Sequence, residues 1–333
     1  MVINKAELQI ALEVVKPGLA SKDVIEQASS FAFVNDRVVT FNNEISLSHP
    51  VAGMELKGAI KAEELYSLLH KLKSDEIEVV LTDSEILFTS GRSKAGMTLV
   101  SEVKLPLEEI NTAANWFPVP KDFLEALKFA VPSCSTSITR PVLMTVHVKE
   151  DIVEATDAFR ISKFILKEAV PVPEFLLPAS SAKQVLKLNP NEMAHSDGWI
   201  HFKSEEDTIL SCRLFMDDYP NLEVILNQTG RDFTFPKSTL EVFDRATVFS
   251  KSETSSLEQV SITMADNKFT IRSESEIGWF EESLNFQYKD EPITFVVVPK
   301  ILKSVLSETL TCMLCASVMI FKGSNWTYLS IRK

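Results

Sequence analysis

Apolar and polar positions along this chain follow two rhythms that take turns. The first is helical. In Phe117 Pro118 Val119 Pro120 Lys121 Asp122 Phe123 Leu124 Glu125 Ala126 Leu127, an apolar residue leads into Pro or Lys and an amphipathic 3.6-residue period begins. The same arrangement recurs over Ile3 to Leu12, Ile60 to Leu69, Leu177 to Leu186, Phe235 to Phe243 and Val298 to Leu306, with openings near positions 5, 61, 121, 179, 237 and 300. The spacing is close to 58 residues throughout, and a self-similar period of this size marks a repeated supersecondary unit. Pro at three of these openings is expected just inside the helix start, where its missing N–H costs nothing.

The second rhythm is the alternation of half-buried strands. After each helix come short segments rich in Val, Ile, Phe and Thr, joined by polar turns. The expected strands are Ser30 to Val34, Arg37 to Phe41 and Glu44 to Val51, then Glu76 to Leu81, Glu85 to Thr89 and Ala95 to Val103. Next come Val142 to Val148, Ile152 to Thr156 and Phe159 to Leu166, followed by Trp199 to Phe202 and Ile209 to Phe215. The last are Val260 to Met264, Lys268 to Arg272 and Trp279 to Tyr288, and then Leu310 to Leu314, Ser317 to Phe321 and Trp326 to Ile331. Tight turns are expected at Asn35 Asp36, Asp83 and Asp266 Asn267, among others.

Each unit therefore reads strand, helix, strand, strand, strand, an α+β repeat. A unit of this size is marginal alone because a small core buries too little surface. Units are expected to pair, giving domains of 1–116, 117–232 and 233–333 with crossings at Asn111 to Phe117 and Gln228 to Phe233. Sheets should run on from one domain to the next, since open strand edges are a hazard.

Composition narrows the function. With 333 residues, 45% of them hydrophobic, the chain is globular, and its apolar runs are far shorter than the roughly 20 residues of a membrane helix. The N-terminus lacks a basic flank and an apolar signal core, so the expected location is cytoplasmic, with no membrane partner. Cys134, Cys212, Cys312 and Cys315 are too scattered for a disulfide framework, and the CxxC of Cys312 and Cys315 sits in a strand, so core thiols and no metal are expected.

No catalytic constellation emerges. Gly91 Arg92 Ser93 Lys94 Ala95 Gly96 lacks a phosphate-cradling spacing, the five histidines are isolated, and Asp217 Asp218 reads as a solvated loop. The expectation is a protein that is not an enzyme and carries no cofactor.

The net charge of −12 argues against a polyanion partner, but its distribution argues the other way. The six helices, taken as 5–16, 61–73, 120–130, 180–188, 236–251 and 299–306, hold fourteen basic and eight acidic side chains, +6, which leaves −18 for the remainder. Helices that face one way would give one basic face on an acidic body.

One stretch adds a likeness. Glu154 Ala155 Thr156 Asp157 Ala158 Phe159 Arg160 Ile161 resembles the Ala-Thr-Asp-Gly-His-Arg-Leu motif of the bacterial DNA polymerase III beta sliding clamp family. Arg140 Pro141 Val142 Leu143, Tyr219 Pro220 Asn221, Ser90 Gly91 Arg92 Ser93 and Arg332 match in order around it.

The resemblance implies a DNA clamp fold in which three domains form half of a ring, two chains close head-to-tail as a homodimer, and helices line a hole for double-stranded DNA. It implies sequence-independent phosphate contacts from Lys22, Lys71, Lys73, Lys128, Lys183, Lys187, Arg245 and Lys303, Lys22 standing where the family has an arginine. It implies a peptide pocket for DNA polymerase, the clamp loader and other proteins carrying the clamp-binding motif, at Leu143, Thr156, Ala158, Arg160, Ile161, Pro220, Val224, Ile225, Ser317 and Leu329.

The implied ring contact joins Ala95 and Met97 to Val248 and Phe249, Ala95 standing for a family Phe. Ala158 and Phe159 replace the family's Gly-His, Val224 replaces an Arg, and the ending Tyr328 to Lys333 lacks its Met-Pro-Met. A second reading is a clamp-fold peptide-binding protein that does not encircle DNA.

Overall fold

The computed structural model describes residues 1–51, 53, 56–82, 84–110, 115–250 and 258–332. The strand–helix–three-strand unit occurs six times in it. The first holds β1 (Val2–Asn4), α1 (Lys5–Val15), β2 (Ser30–Val34), β3 (Arg37–Phe41) and β4 (Ile45–Pro50). The second holds β5 (Gly58–Lys61), α2 (Ala62–Lys71), β6 (Glu76–Leu81), β7 (Glu85–Ser90) and β8 (Ser93–Thr98), and the short α3 (Leu107–Ile110) follows it. The third holds β9 (Phe117–Pro118), α4 (Phe123–Ala130), β10 (Thr145–Lys149), β11 (Ile152–Thr156) and β12 (Arg160–Ile165).

The fourth holds β13 (Phe175–Pro178), α5 (Ala179–Leu188), β14 (Glu192–Ser196), β15 (Trp199–Lys203) and β16 (Ile209–Arg213), trailed by the short α6 (Glu223–Leu226). The fifth holds β17 (Arg231–Thr234), α7 (Thr239–Ala246), β18 (Val260–Ala265), β19 (Lys268–Ser275) and β20 (Gly278–Asn285). The sixth holds β21 (Ile293–Val297), α8 (Pro299–Leu306), β22 (Thr311–Leu314), β23 (Val318–Lys322) and β24 (Trp326–Ile331).

Two compact units share these elements. Met1–Val131, Thr145–Asp151 and Lys167–Asp217 make the first; Pro132–Met144, Ile152–Leu166 and Asp218–Lys333 make the second. Leading strands are exchanged between neighbouring repeats. β1 pairs with β6 and β5 with β2, β9 with β14 and β13 with β10, β17 with β22 and β21 with β18, all antiparallel.

The first unit thus holds one sheet in the order β1-β6-β7-β8 and one in the order β5-β2-β3-β4-β16-β15-β14-β9. In the latter, Ile209 to Cys212 of β16 pair with Ser48 to Ile45 of β4, so the sheet runs on between repeats as expected. In the second unit β12 joins β24, with Arg160 opposite Ser330 and Ile161 opposite Leu329.

Helices form where the period places their stripe. In α1 the buried residues Leu8, Ala11, Leu12 and Val15 recur at i, i+3, i+4 and i+7, and Asn4 caps the helix by accepting from the N–H groups of Ala6 and Glu7. Fully burying such a Leu or Val is worth about 1.5–3 kcal/mol. α1 packs on α2 and on β3 and β4, α4 on α5, and α7 on α8. Hydroxyls close the helix ends: Thr40 donates to the Val15 carbonyl at 2.6 Å and Ser273 to the Ala246 carbonyl at 2.7 Å.

The second unit's core is aromatic. Phe233 lies edge-on to Phe235 at 4.8 Å, and Phe235 stacks on Phe321 at 6.2 Å.

The turns at Asn35 Asp36 and Asp266 Asn267 have positive φ at both central residues, as two-residue hairpins require. The turn at Asp83, the start of the crossing at Asn111, and Lys251 lie outside the described residues.

Several expectations are corrected. Of the Pro residues at helix openings, only Pro299 lies inside its helix; Pro178 occupies the N-cap of α5. Pro120 and Pro236 stand earlier still, and their carbonyls accept from Phe123 and Thr239 at 3.0 Å, so they build the turn that enters the helix. Strand β14 was not anticipated, because Glu192 Met193 Ala194 His195 Ser196 carries little β-branched or aromatic character; its neighbours supply the ladder. Residues 141–144 form a 3₁₀ turn where a strand was expected, since Pro141 has no N–H to give a ladder. The strand expected over Ala95 to Val103 starts at Ser93 and stops at Thr98.

No helix among the described residues is long and apolar enough to cross a membrane. All four cysteines are buried.

Within β14–β16 lies a buried hydroxyl–imidazole chain. Ser196 Oγ is 2.7 Å from His201 Nε2, and His201 Nδ1 is 2.8 Å from Ser211 Oγ, with His201 2% exposed. Burial, aided by His195, pulls the His201 imidazole down to about 4, so it is held neutral. Between its ordinary 6.5 and about 4 the unfolded chain binds the extra proton. Stability is therefore expected to fall as pH drops through that window, by up to about 3 kcal/mol. Urea unfolding at pH 7 and pH 4.5 measures this, and His201→Asn should remove most of the slope.

Candidate functional site

Three surfaces collect the residues singled out by sequence. The first is the outward side of the helices. Lys71 closes α2 and Lys73 follows it, Lys128 lies in the last turn of α4, and Lys183 and Lys187 stand along α5, all exposed. Lys22 is exposed on the segment between α1 and β2. Its neighbour Asp23 is ion-paired with Lys61 and accepts from the Ser29 N–H at 2.7 Å; the Lys61 contact above all lowers the Asp23 carboxyl from its ordinary value. None of these six lysines has an ion pair among the described residues.

The second unit differs. Arg245 on α7 makes a two-pronged contact to Glu282 at 2.9 and 2.8 Å, which raises its guanidinium above the ordinary value, and Lys303 on α8 is paired with Asp244. Their charges are already matched within the fold, which sequence could not reveal because both partners come from other elements.

The second surface lies beside the β12–β24 joint. Ile161, Leu222, Cys315, Val318, Ile320 and Leu329 form one buried cluster, with Tyr219, Leu226, Met313 and Ile331 packed against it. Above it sits the turn 156–160. Thr156 Oγ1 donates to the Arg160 carbonyl at 2.7 Å, Asp157 Oδ1 accepts from the N–H groups of Phe159 and Arg160 at 3.0 Å, and Arg160 Nε meets Asp157 Oδ2 at 2.9 Å. The turn is locked by its own side chains.

α6 follows Pro220, with Asn221 Oδ1 accepting from the Glu223 N–H at 3.0 Å. It turns Leu222 down into the cluster and leaves Val224 76% and Ile225 43% exposed. Ser317, exposed, accepts through its carbonyl from the Arg332 N–H at 2.8 Å.

Of the ten predicted pocket residues, Ile161 and Leu329 belong to this cluster, and Thr156, Ala158, Arg160, Pro220, Val224, Ile225 and Ser317 lie in chain segments that adjoin its members in sequence. Leu143 is buried in the 3₁₀ turn 141–144 and is not part of the cluster. Sequence reasoning missed Leu222, Val318, Ile320 and Cys315 as its floor, although the continuous apolar run Val318 to Phe321 signalled a strand buried on both faces. Burial raises the Cys315 thiol, opposed by Arg332.

The third surface is a pair of open sheet edges. β8 is the edge of its sheet, with Ala95 and Met97 half-buried and Lys94 exposed. β20 is the edge of the second unit's four-stranded sheet, with Trp279 61% exposed and Glu281 exposed. Near it Val248 is 58% exposed, and a Cβ at Gly278 would lie 3.3 Å from the Phe249 ring.

No family model matches the chain, and no curated protein matches it. Solved structures do. A Streptococcus pyogenes DNA polymerase beta subunit is similar at 21% identity and TM-score 0.85, covering 100% of this chain and 99% of that one. A Bacillus subtilis DNA polymerase sliding clamp is similar at 18% identity and TM-score 0.83, covering 100% and 98%. A Pseudomonas aeruginosa sliding clamp bound to griselimycin is similar at 14% and 0.84, covering 100% and 98%. The chain has the DNA clamp fold over its whole length.

Ala158 holds φ +72°, a region L-residues other than Gly and Asn enter at a cost, while its methyl is exposed. Ala158→Gly is expected to raise stability by about 1 kcal/mol, read as a higher urea midpoint with an unchanged slope.

Proposed function

We propose that this protein is a DNA sliding clamp: a non-enzymatic, cytoplasmic factor that encircles duplex DNA and tethers a polymerase for processive synthesis. The observation that carries this reading is the set of six exposed lysines without ion pairs, set on helices and a helix-flanking segment, in a chain whose fold matches sliding clamps from end to end. Lys22, Lys71, Lys73, Lys128, Lys183 and Lys187 meet phosphates without reading bases, with Arg245 and Lys303 as weaker contributors because an acid already holds each.

The exchanged leading strands support domains of 1–116, 117–232 and 233–333, each a pair of repeats. Two chains close head-to-tail, the β8 edge of one copy meeting the β20 edge of the other, with Ala95 and Met97 against Val248 and Phe249. The contrast of Lys94 on one edge with Glu281 on the other supports that polarity. The face beside β12 and β24 receives short linear peptides from the polymerase, the clamp loader and other proteins with a clamp-binding motif.

The second reading, a peptide-binding clamp-fold protein that does not encircle DNA, is favoured by the internal pairing of Arg245 and Lys303. Loader-dependent retention on nicked circular DNA separates the two. Retention is expected and should vanish when the circle is cut; retention that survives linearisation, or none at all, rejects encirclement. Lys183→Glu with Lys187→Glu should lower retention about tenfold and flatten its salt dependence.

The ring contact predicts a dimer at micromolar concentration by sedimentation. Val248→Asp is expected to shift it to monomer while each chain stays folded, because Val248 is largely exposed within one chain.

A further inference from the structure

Lys22 stands on the segment 19–29 that joins α1 to β2. Surface connections are ordinarily mobile, but this one is fastened along its length. Its ends meet where the Ala20 N–H donates to the Ala28 carbonyl at 2.9 Å. Gln27, 6% exposed and held at φ +67°, donates through Nε2 to the Glu102 carbonyl at 2.7 Å and accepts through Oε1 from the Lys104 N–H at 2.8 Å. Glu26 pairs with Lys104 at 2.7 Å, and Ile25 packs against the buried cluster that contains Phe41, Leu105 and Trp199.

The tip is secured by Asp23. Its Oδ1 accepts from the Ser29 N–H at 2.7 Å, its Oδ2 meets Lys61 Nζ, and that ammonium also donates to Ser29 Oγ at 2.9 Å. Lys61 ends β5 and is the N-cap of α2, so the clasp ties the tip to a helix start already set by strand pairing. Lys22 and Val24, on either side of Asp23, are both exposed.

An acid in this place runs against the charge of its surroundings. It lowers the potential beside Lys22 and takes Lys61 into an ion pair, and both effects weaken attraction for a polyanion. Charge alone therefore does not account for Asp23, whereas the bonds it accepts do. A tip that is already ordered presents Lys22 without the entropy loss of fixing released residues on contact.

We propose that Asp23 is a positioning residue: by holding Ser29 and Lys61, it fixes the tip from which Lys22 meets a phosphate. This rests on the DNA-binding reading of the lysines given above and adds to it an acid that strengthens the contact.

Two substitutions separate position from charge. Asp23→Asn and Asp23→Ala remove the same charge, but asparagine still accepts from the Ser29 N–H and alanine does not. Affinity of the full chain for a fluorescein-labelled linear duplex, read by anisotropy at low salt, reports the contacts themselves and not capture by encirclement. Lys22→Ala is expected to weaken binding about threefold. Asp23→Ala is expected to bind about threefold more weakly than Asp23→Asn, and the gap should close when Lys22→Ala is added to each. Trypsin should cut after Lys22 faster in Asp23→Ala than in Asp23→Asn, with cleavage elsewhere unchanged, which marks release of the tip rather than unfolding.

Equal binding or equal cleavage by the two Asp23 variants leaves only a charge effect and overturns the proposal. A gap that survives in the Lys22→Ala background overturns it as well, because Asp23 then acts on something other than Lys22. Unchanged binding by Lys22→Ala removes Lys22 as a contact, and the proposal with it, while leaving the other lysines in place. Failure of the unaltered chain to bind the duplex removes the DNA-binding reading itself.

Discussion

The structure depends on one backbone constraint: the leading strand of each repeat has no partner inside its own repeat. Val2–Asn4 pairs with Glu76–Glu78, and Gly58–Lys61 pairs with Phe33–Ser30, so each repeat completes its neighbour's sheet and leaves its own completion to that neighbour. Because unpaired backbone groups cost as much as lost hydrogen bonds, a single repeat is an unfinished object, and two repeats give each other's leading strands a ladder. Three leading strands run directly into their helices, Asn4 into Lys5, Lys61 into Ala62 and Pro178 into Ala179, and the other three reach theirs within a few residues, so pinning the strand also fixes where the helix begins. The helices of exchanging repeats also pack in pairs, α1 against α2, α4 against α5 and α7 against α8.

That geometry explains what sequence could and could not reveal. The helices are legible because their stripes are local: Leu8, Ala11, Leu12 and Val15 announce a face without knowing what covers it. Strand β14 is not legible, since Glu192 and His195 give no strand preference and the segment extends only because β15 and β9 pair with it on either side. The Pro residues mislead for a related reason. Pro fits a helix start and the turn before one equally well, and the pairing of β9 or β17 decides which applies. In the buried cluster beside the β12–β24 joint, Ile161 and Leu329 were identifiable, but that they meet is a matter of register between β12 and β24, two strands far apart in the chain.

The two joints between sheets show one architecture used in two ways. Beside the β4–β16 joint, the crossing segment brings Leu105 and Ile110 against Phe41 and Trp199, whose rings lie 6.4 Å apart, and large aromatic side chains fill the space. Beside the β12–β24 joint, the cluster is aliphatic with Cys315, Tyr219 is the one aromatic side chain packed against it, and α6 leaves Val224 and Ile225 in water. The two joints thus differ in side-chain volume and in two outward positions, with no change in topology.

The basic side chains follow the same economy. Arg245 ties α7 to β20 through Glu282, and Lys303 ties α8 to α7 through Asp244, so in the second unit positive charge holds elements together. In the first unit Lys128, Lys183 and Lys187 bridge to no acid among the described residues; α4 packs on α5, and its Phe123 stacks 6.1 Å from Phe202 of β15. Surface ion pairs contribute at most about 1 kcal/mol each, so leaving these lysines unpaired costs the fold little. In the sliding clamp proposed above, a charge that the fold does not need would be free to meet a phosphate at each step along a duplex, and several such contacts, each weak and screened within about 10 Å, would add to retention without fixing the protein at any one place.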